Sequence, residues 1–312
     1  DLENGILRAT SGAFKEDPLR VMRAMQFAAR FGFSVDDWTR SMCRDMQWAK
    51  GQLPKERIWE EWKKWALKGR FPGHGLKVLA DMFWADQEID MLKDVPQDPA
   101  WHPEGDVFVH TCHVVDAAAH IADREQLDDN DRLMLMLAAL CHDFGKPSTT
   151  KMEGGRWRSK GHCEEGVGPA ESFLIGIGCP YNIGRPVCNL IKEHLIHAGI
   201  DNPSDRAIRR LADRIAPATV AALGRLVEAD HSGRPPLPVG NPLQVWVDRA
   251  VELNVSGQKP QPILMGRHLM EMGMQPGRGM GKLLDRAFQA QLDGAFDNVD
   301  DAVKWVGSRK GS

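Results

Sequence analysis

Cysteine pairs are missing from this sequence. Cys43, Cys112, Cys141, Cys163, Cys179 and Cys188 form no CxxC and fall largely within helical patterns. That argues against a disulfide framework and for buried, reduced thiols in a reducing compartment. Also absent are an apolar run of bilayer length and the short apolar core of a secretory signal, so the expected location is the cytoplasm, with no membrane contact. A net charge of −3 gives no general nucleic-acid signature, and any RNA contact must come from local basic patches. Tyrosine occurs once, leaving aliphatic residues, Met and Trp to build the interior. No internal repeat or low-complexity segment is found. With 312 residues, the chain is long enough for two or three domains with a real core.

The most informative stretch runs from His110 to Asp143. His110 opens an apolar helix and shares the stripe of Val114, Ala117 and Ile121, so its ring points toward the core. A second helix buries Leu133, Leu137 and Leu140 and delivers His142 and Asp143 from consecutive positions at its end, just before Gly145, read as a helix-stopping glycine. Imidazole and carboxylate together suit a divalent cation. A further carboxylate, Asp230, continues the stripe of Val220, Leu223 and Val227, and an unpaired buried carboxylate is costly without a cation. The alternative is a buried, hydrogen-bonded polar cluster. His194 continues the stripe of Val187 and Ile191, and His162 starts the helix before it. His113, His120, His197 and His231 read as ordinary.

Elsewhere the pattern is also helical. Asp17 is a natural N-cap, Pro18 suits a first helical position and Gly32 ends the run. Trp59, Trp62 and Trp65 recur at a spacing that favours core packing over base stacking. VPQDPAWHPEGD and PPLPVGNP break helicity and mark boundaries. The polar loop PSTTKMEGGRWRSKGH reads as a surface loop whose Arg156, Arg158 and Lys160 suit an anionic ligand. The expected fold class is all-α, in three segments: a neck and body over 1–98, a helical domain over 99–235, and a helical tail over 236–312.

His110, His142-Asp143 and Asp230, with HDFGK intact, resemble the H…HD…D signature of the HD superfamily of metal-dependent phosphohydrolases. DLENGILR, EDPLRVMRAMQFAARFGF, LPKERIWEEWKKW, WHPEGDVFVHT and the tail GRHLMEMGMQPGRGMGKLL resemble the class II CCA-adding tRNA nucleotidyltransferases and their poly(A) polymerase relatives, of the bacterial type that carries an HD domain. That resemblance spans essentially the whole chain. It implies that Glu16, Asp17 and Arg20, the EDxxR positions, read the base of an incoming nucleotide, the alternative being that Asp17 only caps its helix and Arg20 is solvated. It also implies a Gly-rich nucleotide loop and a carboxylate pair for two magnesium ions. Neither is found from Asp1 onward, so the chain resembles a nucleotidyltransferase that begins after its catalytic head.

The HD resemblance implies a metal held by His110, His142, Asp143 and Asp230, with His162 and His194 holding a second ion or contacting a phosphate. One or two ions of Mn, Ni, Co, Fe, Zn or Mg are expected per chain. The leading expectation is a phosphodiesterase, acting on 2′,3′-cyclic phosphates by metal-activated water, with phosphatase and nucleotidase activity beside it. Asp143, Lys146, His162 and His194 are then its catalytic residues, and nucleotide addition by this chain alone is not expected. Two other readings stay open: a tRNA-binding body that works with a head domain supplied elsewhere, and a fragment with no independent role. The expected partners are a small phosphoester or nucleotide and tRNA or other RNA, and a homodimer is among the assemblies allowed.

Overall fold

The computed structural model describes residues 1–308; residues 309–312, the end of the expected tail, lie outside the described residues. The chain is helical as expected. In order it forms α1 (Leu19–Phe31), α2 (Asp37–Asp45), α3 (Lys55–Lys68), α4 (Pro72–Asp81), α5 (Gln87–Asp90), α6 (Val107–Arg124), α7 (Asp129–Cys141), α8 (Lys146–Thr149) and α9 (His162–Glu165). There follow α10 (Val167–Gly176), α11 (Tyr181–Glu193), α12 (Asp205–Arg214), α13 (Val220–Ser232), α14 (Gln244–Glu252), α15 (Gly266–Glu271), α16 (Arg278–Leu292) and α17 (Val299–Gly307). Two small strand pairs interrupt them: β1 (Ile6–Leu7) parallel to β2 (Ser34–Val35), and β3 (Lys151–Glu153) antiparallel to β4 (Arg156–Arg158). Among the described residues no helix is long and apolar enough to cross a membrane.

The described residues form two compact units. One comprises Asp1–Ala198 with Ala222–Leu243, and the other Gly199–Ala221 with the chain from Gln244 onward. This division differs from the three sequential segments, because the first helices share a core with the central ones. The Gly73 amide donates to Asp116 on α6 at 2.8 Å, and the Arg132 guanidinium of α7 donates to the Ala66 carbonyl of α3 at 3.0 Å. Trp62 and Trp65 are fully buried, edge to face at 5.3 Å, and Trp62 meets Phe173 of α10 at 5.4 Å. Packing is therefore what Trp62 and Trp65 do, as their spacing suggested, while Trp59 is only half-buried. In the second unit Leu264, Leu269, Met280, Ala287, Phe296, Ala302 and Val306 form a separate core.

Local chemistry sets the helix ends. Asp106 caps α6 by accepting the Val109 amide at 2.8 Å, and Asp128 caps α7 through Asp131 at 2.9 Å. Asp17 accepts the Leu19 amide at 3.2 Å, while Gly32 closes α1 with φ +70°. The stretch 151–158, read as a surface loop, is a hairpin: Gly154 and Gly155 both have positive φ, the geometry of a two-residue turn between antiparallel strands.

Candidate metal centre

Three helix ends converge in the first unit. His110 lies in the first turn of α6, His142 caps the C-terminus of α7 with Asp143 next, and Asp230 sits in the last turn of α13. His110, His142 and Asp143 are at most 1% exposed. The Nε2 of His110 is 3.1 Å from Asp230 Oδ1 and 3.8 Å from Asp143 Oδ2; the Nε2 of His142 is 3.1 Å from Asp143 Oδ2 and 3.9 Å from Asp230 Oδ1. The structure thus brings together the four residues picked out on three separate stripes.

The opposite ring nitrogens decide what these contacts mean. His142 Nδ1 donates to the Ala139 carbonyl at 2.8 Å, and His110 Nδ1 faces only acceptors, Glu104 Oε1 at 2.8 Å and the Gly233 carbonyl at 3.3 Å. Each neutral ring therefore turns a bare Nε2 lone pair toward a carboxylate, and two acceptors cannot bond without a proton or a cation between them. Asp143 Oδ2 meets the Lys146 ammonium at 2.7 Å, whereas His142 Nε2 and Asp143 Oδ1 are buried without a hydrogen-bond partner. These orphaned donor atoms fit a divalent cation, and ring nitrogens fixed by a second hydrogen bond are the usual arrangement around one. Glu104, in the Pro- and Gly-rich segment before α6, supplies that second bond for His110 and also accepts His102 at 2.9 Å. Sequence reasoning missed it, since a loop carboxylate has no periodicity to betray its direction.

Electrostatics run the same way. Burial opposes charge on His110, but Asp230 and Glu104 outweigh it and hold the ring at about 9. Burial likewise works to raise Glu104, yet bonds from His102 and His110 bring it down to about 2. Asp143 and Asp230 sit well below the usual carboxylate range despite burial, Asp143 through His142 and Lys146, Asp230 through His110 and His142. In the metal-free protein a proton therefore stays on His110 until about pH 9. A cation must displace it, so metal uptake should release protons, and affinity should fall about tenfold per pH unit for each proton displaced below that point. Calorimetric titration in buffers of differing ionisation heat measures the release; uptake without proton exchange would contradict the ligand assignment.

Lys146, expected to meet a metal-bound phosphate, is 7% exposed, with its ammonium 2.7 Å from Asp143 Oδ2 and 2.7 Å from Gln97 Oε1, and it lines the cavity next to Asp143. Gly145 corrects an expectation. Its backbone is ordinary right-handed helical, φ −85°, so no left-handed turn stops the helix there. A Cβ at this position would lie 2.1 Å from the His162 carbonyl and 2.6 Å from the Gly166 amide; the glycine lets the α9 backbone press against the HD turn and deliver His162.

That approach builds a second group of donors. His162 Nε2 lies 3.3 Å from Asp143 Oδ1 and 3.2 Å from His194 Nε2, and Cys163 Sγ lies 3.9 and 4.0 Å from those two ring nitrogens. Both groups open on a cavity of about 810 Å³ that also meets Arg158, Lys160, His197, His231 and Arg234. His197 and His231, read as ordinary, line it with buried, unpartnered Nδ1 atoms; His113 and His120 do not line it. The EDxxR residues lie elsewhere in the same unit. Asp17 is ion-paired with Arg57 at 3.1 Å, the Arg20 guanidinium donates to the Ala13 carbonyl, and Arg20 lines a separate cavity of about 470 Å³ that does not include Glu16 or Asp17.

The HD domain family matches residues 107–218. Over three quarters of its length the chain is similar to proteins named multifunctional CCA protein, 32% identical over 251 residues to that of Aliivibrio salmonicida and 34% over 250 residues to that of Stenotrophomonas maltophilia. It spans 58% of the length of each. Among solved structures, the Bacillus stearothermophilus CCA-adding enzyme in complex with CTP matches 99% of this chain and 66% of its own, with a TM-score of 0.60 and 16% identity, a likeness of fold. The Thermotoga maritima CCA-adding enzyme complexed with tRNA_CCA matches 99% of this chain and 65% of its own, at 0.50 and 13%.

These matches overturn the phosphodiesterase reading in favour of the tRNA-binding body, because the relatives are named for CCA addition. The imidazole and carboxylate donors argue for a cation, and a cation does not specify a reaction. Overturned with it is the expectation that the chain stands apart from nucleotidyl transfer. A nucleotide loop missing from this chain says nothing about that activity when the chain spans only 58% of such proteins. The chain thus carries a match to the HD domain family over residues 107–218 and is similar, over three quarters of its length, to multifunctional CCA proteins.

Proposed function

We propose that this chain is the nucleotide- and tRNA-handling body of a CCA-adding enzyme, with a divalent-metal centre inside its HD domain. The observation that carries the reading is identity of 32–34% to multifunctional CCA proteins over three quarters of the chain. The related structures with CTP and with tRNA_CCA supply the ligand classes, a nucleoside triphosphate and tRNA. In this reading Glu16, Asp17 and Arg20 serve base recognition. The cavity of about 470 Å³ at Arg20 suits a nucleotide: Arg8, Arg20 and Arg23 offer planar donor forks, Ser11 and Thr39 hydroxyls, and Phe27 a ring face. The Asp17–Arg57 pair ties the EDxxR turn to α3.

At the HD centre His110, His142, Asp143 and Asp230 would hold the ion, and His162 with His194 a second. When bound, the ion supplies positive charge that balances the buried carboxylates and a Lewis-acidic face toward the cavity. Lys146 anchors Asp143, and Arg158, Lys160 and Arg234 give the cavity cationic side chains for an RNA phosphate. Six unpaired thiols fit a cytoplasmic setting.

Titration of the protein with CTP, and filter binding with tRNA, test the reading. Arg20→Ala should weaken CTP binding about tenfold to a hundredfold, the worth of one or two charge-assisted hydrogen bonds, while Asp143→Asn should leave it unchanged. Equal CTP affinity in Arg20→Ala and wild type would remove Arg20 from base recognition, and failure to retain tRNA would overturn the body assignment.

A further inference from the structure

We propose that Cys163 is a metal ligand, and that His162, Cys163 and His194 with Asp143 Oδ1 form a thiolate-bearing subsite selective for zinc-like ions over magnesium. This rests on the divalent-metal reading of the HD centre and deepens it.

Ring orientation is the first support. His162 Nδ1 donates to the Ser159 carbonyl at 2.7 Å, and His194 Nδ1 to the Ile191 carbonyl at 2.6 Å. A carbonyl only accepts, so both protons are placed on Nδ1 and both Nε2 atoms carry lone pairs. Those lone pairs face each other at 3.2 Å with His194 only 1% exposed. Something positive belongs between them.

The distances favour a tetrahedral ion over a shared proton. Zinc–nitrogen and zinc–sulfur bonds of about 2.05 and 2.3 Å give tetrahedral edges of about 3.3 Å for N···N and 3.6 Å for S···N. The edges here are 3.2 Å between the rings, 3.9 and 4.0 Å from Cys163 Sγ to each ring, and 3.3 Å from His162 Nε2 to Asp143 Oδ1. A shift of a few tenths of an ångström by the thiol brings the three donors of His162, Cys163 and His194 to these edges. Asp143 Oδ1 is buried, has no hydrogen-bond partner and adjoins the trio on the His162 side. Its other oxygen faces His142 and Lys146, which makes Asp143 the bridge between the two subsites. A thiolate donor disfavours Mg²⁺, which prefers oxygen ligands, and favours Zn²⁺, Co²⁺ or Fe²⁺.

Cobalt loading tests this directly. Metal-free protein titrated with Co²⁺ should develop a thiolate-to-cobalt charge-transfer band in the near ultraviolet together with visible d–d bands. Cys163→Ser should lose the charge-transfer band and about one equivalent of bound cobalt, whereas Cys179→Ser should keep both. Visible bands without the charge-transfer band in wild type would overturn the thiolate assignment and leave the HD metal reading standing. No cobalt uptake at all would overturn both. Should Cys163→Ser fold poorly, X-ray absorption of zinc-loaded wild type decides: one sulfur at about 2.3 Å supports the subsite, and a shell of nitrogen and oxygen alone sinks it.

Discussion

Asp143→Ala is expected to leave the protein without its divalent ion and with a fold weakened by about 3–5 kcal/mol. The two effects have separate origins. Asp143 Oδ2 faces His142 Nε2 at 3.1 Å and Oδ1 faces His162 Nε2 at 3.3 Å, so its removal takes the one negative donor common to both subsites. The loss of stability comes from Lys146. Its ammonium is buried, and without Asp143 it keeps only the Gln97 carbonyl at 2.7 Å; a buried charge stripped of its partner carries that penalty. Thermal unfolding in the presence of chelator isolates the second effect, because metal then contributes to neither protein. Adding Lys146→Met to Asp143→Ala should restore most of the lost stability and none of the metal, read by elemental analysis. Full metal content in Asp143→Ala would remove the residue from the ligand set. With metal present the wild type should gain a further ~2.7 kcal/mol at a hundredfold excess over Kd.

Gly145→Ala should do comparable damage by a different route. The added methyl would overlap the His162 carbonyl and the Gly166 amide, both backbone atoms, which cannot swing aside as a side chain does. Overpacking of this kind typically costs 1–3 kcal/mol, and here roughly the upper end or beyond is expected because two chain segments must separate. The shift carries His162 away from Asp143, so metal affinity should fall alongside the melting temperature. Gly184→Ala is the contrasting substitution. Gly184 lies within α11, and a Cβ there meets only the Leu174 and Cys179 side chains at 3.8–3.9 Å, ordinary contact distances; an alanine should stabilise by about 0.5–1 kcal/mol. Equal melting temperatures for the two variants would show that the close approach at Gly145 has no energetic weight.

The helices and the central donors were legible because they obey a period. His110, Asp230 and His194 each continue an apolar stripe, and a polar residue on such a stripe has only the interior to point into. Glu104 was not legible: it precedes α6 in irregular chain, and only the fold brings its carboxylate under His110. Cys163 looked like one more buried thiol until α9 was set against the turn at Gly145. The hairpin at 151–158 was hidden by its composition. Lys-Met-Glu and Arg-Trp-Arg are too polar to read as strands, although Gly154-Gly155 between them is a turn signal. Placing α12 with the helices after Gln244 depended on contacts distant in sequence, such as Arg249 to Asp205 at 2.7 Å and Arg210 to Asp293 at 2.6 Å. The function was misjudged for a different reason: donor atoms announce an ion, and the reaction is announced by parts of the protein that need not lie near it.

His142 and His194 each bond a carbonyl three residues back, Ala139 and Ile191, at the closing turn of α7 and α11. Such turns have run out of amide donors and are ordinarily the first part of a helix to open. Here the imidazole that satisfies the orphan carbonyl is the same one that offers its far nitrogen to an ion. Fraying of either end would therefore withdraw a ligand, and a bound ion would resist the fraying. A cation at this centre would act as a clasp on the slow breathing of two helices, so amide hydrogen exchange in residues 139–146 and 191–198 should report occupancy as faithfully as any assay of the metal.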